Sequence, residues 1–139
     1  MPILYRTQAS ASGGRNGRAR SSDGVLDVKL SMPKALGGPG EAATNPEQLF
    51  AAGYAACFDN ALLYLIGQKK LAGVDTSVSA DVGIGPGSGK GFALDVELTV
   101  HIAGLPRGEA EALVAEAHEV CPYSNAVRGN VDVRLNVVT

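Results

Sequence analysis

The side chains best suited to chemistry in this sequence are two thiols. Cys57 lies in GYAACFDNALLYLIG and Cys121 in HEVCPYSNA, and the chain has no other cysteine. A thiolate is a nucleophile, a metal ligand and one half of a disulfide. A free cysteine also behaves as a small hydrophobe and is often simply buried. Four readings therefore stand side by side: inert core residues, a structural disulfide, part of a metal site, or a redox pair. His118 precedes Cys121 by three positions, a spacing that suits two ligands on one helix, and Cys57 and His101 would complete a zinc set. No Cys-x-x-Cys knuckle is present, and His101 falls on the polar face of its strand. A structural disulfide fits an oxidising compartment better than the cytosol.

A redox pair needs a positive neighbour that keeps one sulfur as thiolate. Cys57 sits about three turns into its helix, too far for that helix's own dipole to help much. Arg15, Arg18 and Arg20 are the candidate cations, although each also suits a solvated hairpin. Glu47 and Asp59 are the nearby carboxylates able to hold an arginine in place.

These residues must be positioned by elements that the pattern of side chains predicts. ILYRTQASASGG reads as a first strand. Asn16-Gly17 and Asp23-Gly24 are dipeptides that favour tight turns. Leu26, Val28 and Leu30 alternate with Asp27 and Lys29, the pattern of a half-buried strand. In TNPEQLF, Asn45 can cap a helix, Pro46 suits its first position, and Gln48 stands where a capping-box partner belongs. The helix runs to about Gly67, is apolar nearly all round, and is expected to be buried on most sides. VSADVGIG and FALDVELTVHI alternate as strands, with Phe92, Leu94, Val96, Leu98, Val100 and Ile102 on one face. RGEAEALVAEAHEV is a second helix whose inward stripe of Ala110, Leu113, Val114 and Ala117 continues to Cys121. Pro122 stops it, YSNA starts a short new helical turn, and VDVRLNVV closes the chain as a strand. The expected fold is α+β, in the order βββ-α-ββ-α-β, with mostly antiparallel sheets and a long buried central helix that carries Cys57.

The whole chain supports this reading. Its 139 residues, 45% of them hydrophobic, suit one globular domain spanning 1–139. The formal charge of −2, without a basic stripe, argues against nucleic acid as a partner. MPILYRTQAS lacks the layout of a secretory signal. Asp59 and Asn60 interrupt the longest apolar region, leaving runs too short to cross a bilayer. The expected location is the cytoplasm, with no membrane association.

GGRNGR, SSDGVLDVKLS, TNPEQLFAAGYAACF, GIGPG, FALDVEL and HEVCPYSNAVRGNVDVRL together resemble the organic hydroperoxide resistance family of the osmotically inducible protein C superfamily. The resemblance covers nearly the whole chain, and AACF and VCPYSNA are its specific blocks. It implies a thiol-dependent peroxidase that reduces organic hydroperoxides to alcohols, without haem, flavin or metal. By position, Cys57 matches the peroxidatic thiol, Cys121 the resolving thiol, Arg15 the arginine that activates the thiolate and binds peroxide, and Glu47 the acid paired with that arginine. The family's fold is an intertwined homodimer with two sites at the interface, and its reductants are dithiols of the lipoyl type, free or protein-bound. Asp59-Asn60 departs from the small or apolar residues of many relatives, which bears on substrate preference.

One expectation follows from helix geometry. Ten residues of one helix separate Glu47 from Cys57, about 15 Å along the axis and about 80° in direction. A site that uses both is therefore expected to be composite, with Cys57 and Cys121 from one subunit and Arg15 and Glu47 from the other.

Overall fold

The computed structural model describes all 139 residues and shows an α+β chain. It divides into two compact units, residues 1–49 and 50–139.

The first unit is a three-stranded antiparallel meander: β1 (Ala9–Ser12), β2 (Arg18–Ser21) and β3 (Asp27–Lys29), in that spatial order. The first strand is shorter than the sequence suggests, since residues 3–8 take no strand structure. The β1–β2 turn also differs. Asn16-Gly17 was expected to supply positive φ, but Gly13 (φ 76°) and Gly14 (φ 56°) do so, ahead of a single 3-10 turn over Gly14–Asn16. Gly17 is needed for another reason: a Cβ there would lie 1.7 Å from the carbonyl oxygen of Ser12. Asn16 instead uses its side chain, whose Oδ1 accepts the Met32 N–H at 2.9 Å and ties the turn to the segment after β3. At the second turn Gly24 takes φ 74°, while the Asp23 carboxylate accepts from the Ser21 hydroxyl at 2.6 Å and the Val25 N–H at 3.0 Å. Only Leu30 and Ser31 are buried in this unit.

Helix α1 (Pro46–Gln68) starts at the end of this unit and continues into the next. Asn45 caps it as expected, its Oδ1 accepting the Gln48 N–H at 2.9 Å. The reciprocal half of the capping box does not form, because the Gln48 side chain accepts from the Thr44 hydroxyl at 2.8 Å.

In the second unit β4 (Asp75–Pro86) and β5 (Phe92–Ala103) form a long antiparallel hairpin, in register from Asp75↔Ala103 to Pro86↔Phe92. Helix α2 (Arg107–Val120) and the short α3 (Pro122–Val127) then cross back, and β6 (Val133–Val138) pairs parallel to β5. This parallel pair is the exception to an otherwise antiparallel arrangement. It follows from the long helical crossover that joins the two strands, which a tight turn cannot replace. Val96, Leu98, Val100 and Ile102 are buried as their alternation predicts, but Phe92, at the start of the same series, is 77% exposed. The α2 stripe Ala110, Leu113, Val114, Ala117 and Cys121 is buried throughout.

The central helix departs from expectation on its outer side. Tyr54, Phe58, Ala61, Leu62 and Leu65 join the core cluster with the β5 and α2 residues. Ala52, Ala56, Leu63 and Tyr64 remain exposed, the last two by half. Despite Asp59 and Asn60, α1 is long and apolar enough to cross a membrane by length and composition alone. Its buried face nevertheless packs into the core of this unit. Asp59 is part of that packing, its carboxylate accepting from the Thr76 hydroxyl on β4 at 2.6 Å.

Candidate active site

In the second unit the two cysteines meet. Cys57, on α1, is half-buried, and Cys121, at the corner between α2 and α3, is buried; both are free thiols. Cys57 packs against the core cluster that holds Cys121, close enough for the Cys121 thiol to act on it. The corner exists because Pro122 follows Cys121. Proline has no N–H to continue α2, holds Cys121 in an extended conformation (φ −62°, ψ 123°), and serves as the first residue of α3. The next residue, Tyr123, brings its backbone N–H near enough to Cys57 to act on the sulfur.

Burial is the main influence on Cys57 and pushes its thiol above the usual value. The Tyr123 N–H works the other way, and the Cys121 thiol adds to the rise. Phe50–Thr139 therefore bring the sulfurs together without supplying a group that makes Cys57 a ready thiolate.

A chain of buried hydroxyls adjoins the thiols. Tyr54, one turn before Cys57, shares a 2.7 Å hydrogen bond with Ser124, and Ser124 shares one of 2.8 Å with His118 Nδ1. Tyr54 and Ser124 are fully buried. Burial raises the Tyr54 phenol and lowers the His118 imidazole from their usual values. Arg128, which also lowers His118, binds the His118 carbonyl oxygen and the Asn125 side chain. His118, considered from its spacing as a zinc ligand, thus turns to a serine, and exposed His101 lies on the outer face of its strand. No group of three or more His, Cys, Asp or Glu side chains is placed to hold a metal ion. The sequence offered one sign of the hydroxyl chain, the symmetric spacing of His118 and Ser124 about Cys121. Which residue would reach Ser124 from α1 was not readable.

In the first unit Arg15, on the 3-10 turn, pairs with Glu47 in the first turn of α1. Arg15 Nη1 lies 2.7 Å from Oε1 and 2.9 Å from Oε2. Their side chains are 27% and 12% exposed. The two-pronged fork that an arginine can offer is not used, because one nitrogen straddles both oxygens. Only the bond to Oε2 is well directed. Oε1 is at ion-pair distance but has no aligned donor. Among the other cations considered, Arg18 pairs with Asp27 at 2.6 Å. Asp59, the alternative carboxylate, is engaged by Thr76.

Phe50, Tyr54 and Tyr123 form an aromatic cluster with centroids 5.8–6.2 Å apart. Tyr123 crosses Gly53 so closely that a Cβ there would be 2.9 Å from its hydroxyl. Phe50 also lines an open apolar hollow of about 370 Å³ with Ile84, Phe92, Leu94 and Val131. Tyr54 and Phe58, further along the same helix, are wholly in the core.

The profile of the OsmC-like protein family matches residues 38–136. The organic hydroperoxide resistance protein of Xanthomonas axonopodis pv. citri is 53% identical over 136 residues, 97% of this chain and 95% of that protein. The chain belongs to the organic hydroperoxide resistance family. The crystal structure of an organic hydroperoxide resistance protein from Legionella pneumophila superposes with a TM-score of 0.95 at 54% identity, covering 99% of this chain and 100% of that one. A second, from Vibrio cholerae O1 biovar eltor, has captopril bound in one of its active sites. It superposes at 0.93 with 54% identity, covering 99% and 94%. The AACF and VCPYSNA blocks, the specific ones of the family resemblance, are brought together in the core, where Cys57 packs against the cluster that holds Cys121.

Proposed function

We propose that this protein is a thiol-dependent peroxidase that detoxifies organic hydroperoxides in the cytoplasm. The observation that carries the reading is that two free thiols, Cys57 and Cys121, are brought together in one core in a member of this family. The Cys57 thiolate attacks one peroxide oxygen, the O–O bond breaks, and the alkoxide takes a proton and leaves as the alcohol. Cys57 becomes a sulfenic acid. Cys121 then attacks that sulfur. The S–O bond breaks, the Cys57–Cys121 disulfide forms, and the hydroxyl leaves with the Cys121 proton as water. A dithiol of the lipoyl type, free or carried on a protein, reopens the disulfide by exchange and is itself oxidised to a cyclic disulfide. The two thiols carry the electrons, and no further redox group is invoked.

Arg15 supplies the positive charge that the surroundings of Cys57 lack. It holds the thiolate and stabilises charge on the departing oxygen, and Glu47 orients it. Because ten residues of helix separate Glu47 from Cys57, these pairs meet across a homodimer: Cys57 and Cys121 from one subunit, Arg15 and Glu47 from the other. The exposed apolar side of α1, with Leu63 and Tyr64, supports such a partner. The apolar hollow beside Phe50 suits an organic tail better than hydrogen peroxide, because it offers the tail burial.

The test is intact mass and free-thiol count after one equivalent of an organic hydroperoxide. The wild type should lose both thiols to an internal disulfide, and Cys121→Ser should gain oxygen on Cys57. Survival of both thiols sinks the peroxidase reading.

A further inference from the structure

The hydroxyl chain beside the thiols has a geometry that core packing alone does not require. Tyr54 precedes Cys57 by three residues, Ser124 follows Cys121 by three, and His118 precedes Cys121 by three. Two hydrogen bonds, of 2.7 and 2.8 Å, join these three flanking positions through the single Ser124 oxygen. One bond ties the Cys57 helix to α3, and the other ties α3 back to α2 across the break at Pro122. Arg128 reinforces the second tie by reaching from the end of α3 to the His118 carbonyl oxygen. Cys121 sits at the corner between α2 and α3 that the His118–Ser124 bond closes.

We propose that Tyr54, Ser124 and His118 are positioning residues that hold the Cys121 sulfur within reach of Cys57, so that disulfide closure outruns a second oxidation of Cys57. The proposal rests on the peroxidase reading for its purpose, but not for its geometry. With Nδ1 of His118 unprotonated, Tyr54 donates to Ser124 and Ser124 donates to His118, so both buried hydroxyl protons are used. Loss of Ser124 removes both ties and leaves the buried Tyr54 hydroxyl without a partner. Loss of the Tyr54 hydroxyl removes one tie and preserves the ring that packs against Phe50 and Tyr123. The sulfenic acid at Cys57 has two fates. Attack by Cys121 breaks its S–O bond and gives disulfide and water. Attack on a second hydroperoxide molecule gives the sulfinic acid and another alcohol. The position of Cys121 decides between them.

The experiment compares wild type, Ser124→Ala and Tyr54→Phe in two arms. In the first, without peroxide, the Cys57–Cys121 disulfide is equilibrated against reduced and oxidised dithiothreitol. Ser124→Ala is expected to lower the equilibrium constant for closure at least tenfold, about 30 mV towards easier reduction, with a smaller change of the same sign in Tyr54→Phe. In the second arm an organic hydroperoxide is added. The first oxidation of Cys57 should stay within about twofold of wild type, while closure slows about tenfold and sulfinic acid accumulates on Cys57. Unchanged equilibrium and closure rate in folded variants overturn the proposal, as does equal slowing of both chemical steps. If Ser124→Ala does not fold, Tyr54→Phe, which keeps the ring, decides alone. If wild-type Cys57 ignores the hydroperoxide, the peroxidase reading fails, and the dithiothreitol arm still decides whether Tyr54, Ser124 and His118 position Cys121.

Discussion

Cys57, the proposed nucleophile, lies in surroundings that disfavour its charged form. Burial is the largest cause of its raised pKa, and the single Tyr123 N–H does not offset it. The sign of a further perturbation is then fixed. A cation brought to the sulfur lowers the pKa and raises the thiolate fraction at neutral pH, and its removal does the reverse. Arg15→Ala is therefore expected to slow the peroxide step at neutral pH on the order of a hundredfold. The rising limb of the rate–pH profile should move to higher pH, so that part of the rate returns in alkali. Stopped-flow rates across pH measure this, and an unshifted limb with a rate within about twofold of wild type would remove Arg15 from the mechanism. Both cysteines stand out in the sequence as its only thiols, and Arg15 with Glu47 as members of family blocks. Ser124 was not singled out for chemistry, since serine in a turn is ordinary and its partner Tyr54 is distant in sequence. His118 invited a ligand role because the i, i+3 spacing fits one. Spacing cannot tell that α2 stops at Pro122 and returns a hydroxyl to the imidazole.

Among the elements, the turn that carries Arg15 is the most constrained. The sequence suggested an Asn-Gly hairpin, and a turn is there, but its positive φ values fall on Gly13 and Gly14. GGRNG contains glycines enough for several turns, and only contacts with the rest of the chain select one. Those contacts are the Asn16 bond to Met32 and the approach of Gly17 to the Ser12 carbonyl. A methyl at Gly17 has no room, so Gly17→Ala is expected to disrupt the turn and break the Arg15–Glu47 pair. Its peroxide step should fall about as far as that of Arg15→Ala, and alkylation of Cys57 by a small reagent should slow as well, because the thiolate fraction at neutral pH falls. Normal peroxide turnover in Gly17→Ala would show that the turn need not be held for function. The sheet order was legible for a contrasting reason: two-residue alternation is a local signal, and β3, β4 and β5 all show it. The parallel pairing of β6 was not, because nothing in VDVRLNVV says which way its neighbour runs.

For the whole molecule, the exposed side of α1 explains where the sequence reading overshot. A helix apolar all round predicts burial on most sides, and one chain supplies burial for one side only. The proposed homodimer covers the rest, and its composite sites can be tested by mixing. Alone, Cys57→Ser chains should be inactive and Arg15→Ala chains slowed about a hundredfold at neutral pH. Refolded together, they should regain activity, because one site of each heterodimer joins an intact Cys57 to an intact Arg15 from opposite chains. A mixture that stays inactive while heterodimers are seen by native mass spectrometry would place all four residues within one chain.

The unequal exposure of the two sulfurs gives the proposed disulfide a front and a back. Cys57 is half-buried and Cys121 is wholly enclosed. An incoming dithiol is therefore steered to Cys57 and expels Cys121 as the leaving thiolate. The covalent adduct of the recycling step is then borne on the same sulfur that met the peroxide. Oxidant and reductant use one doorway in turn, and the inner sulfur takes part in every cycle without touching either visitor.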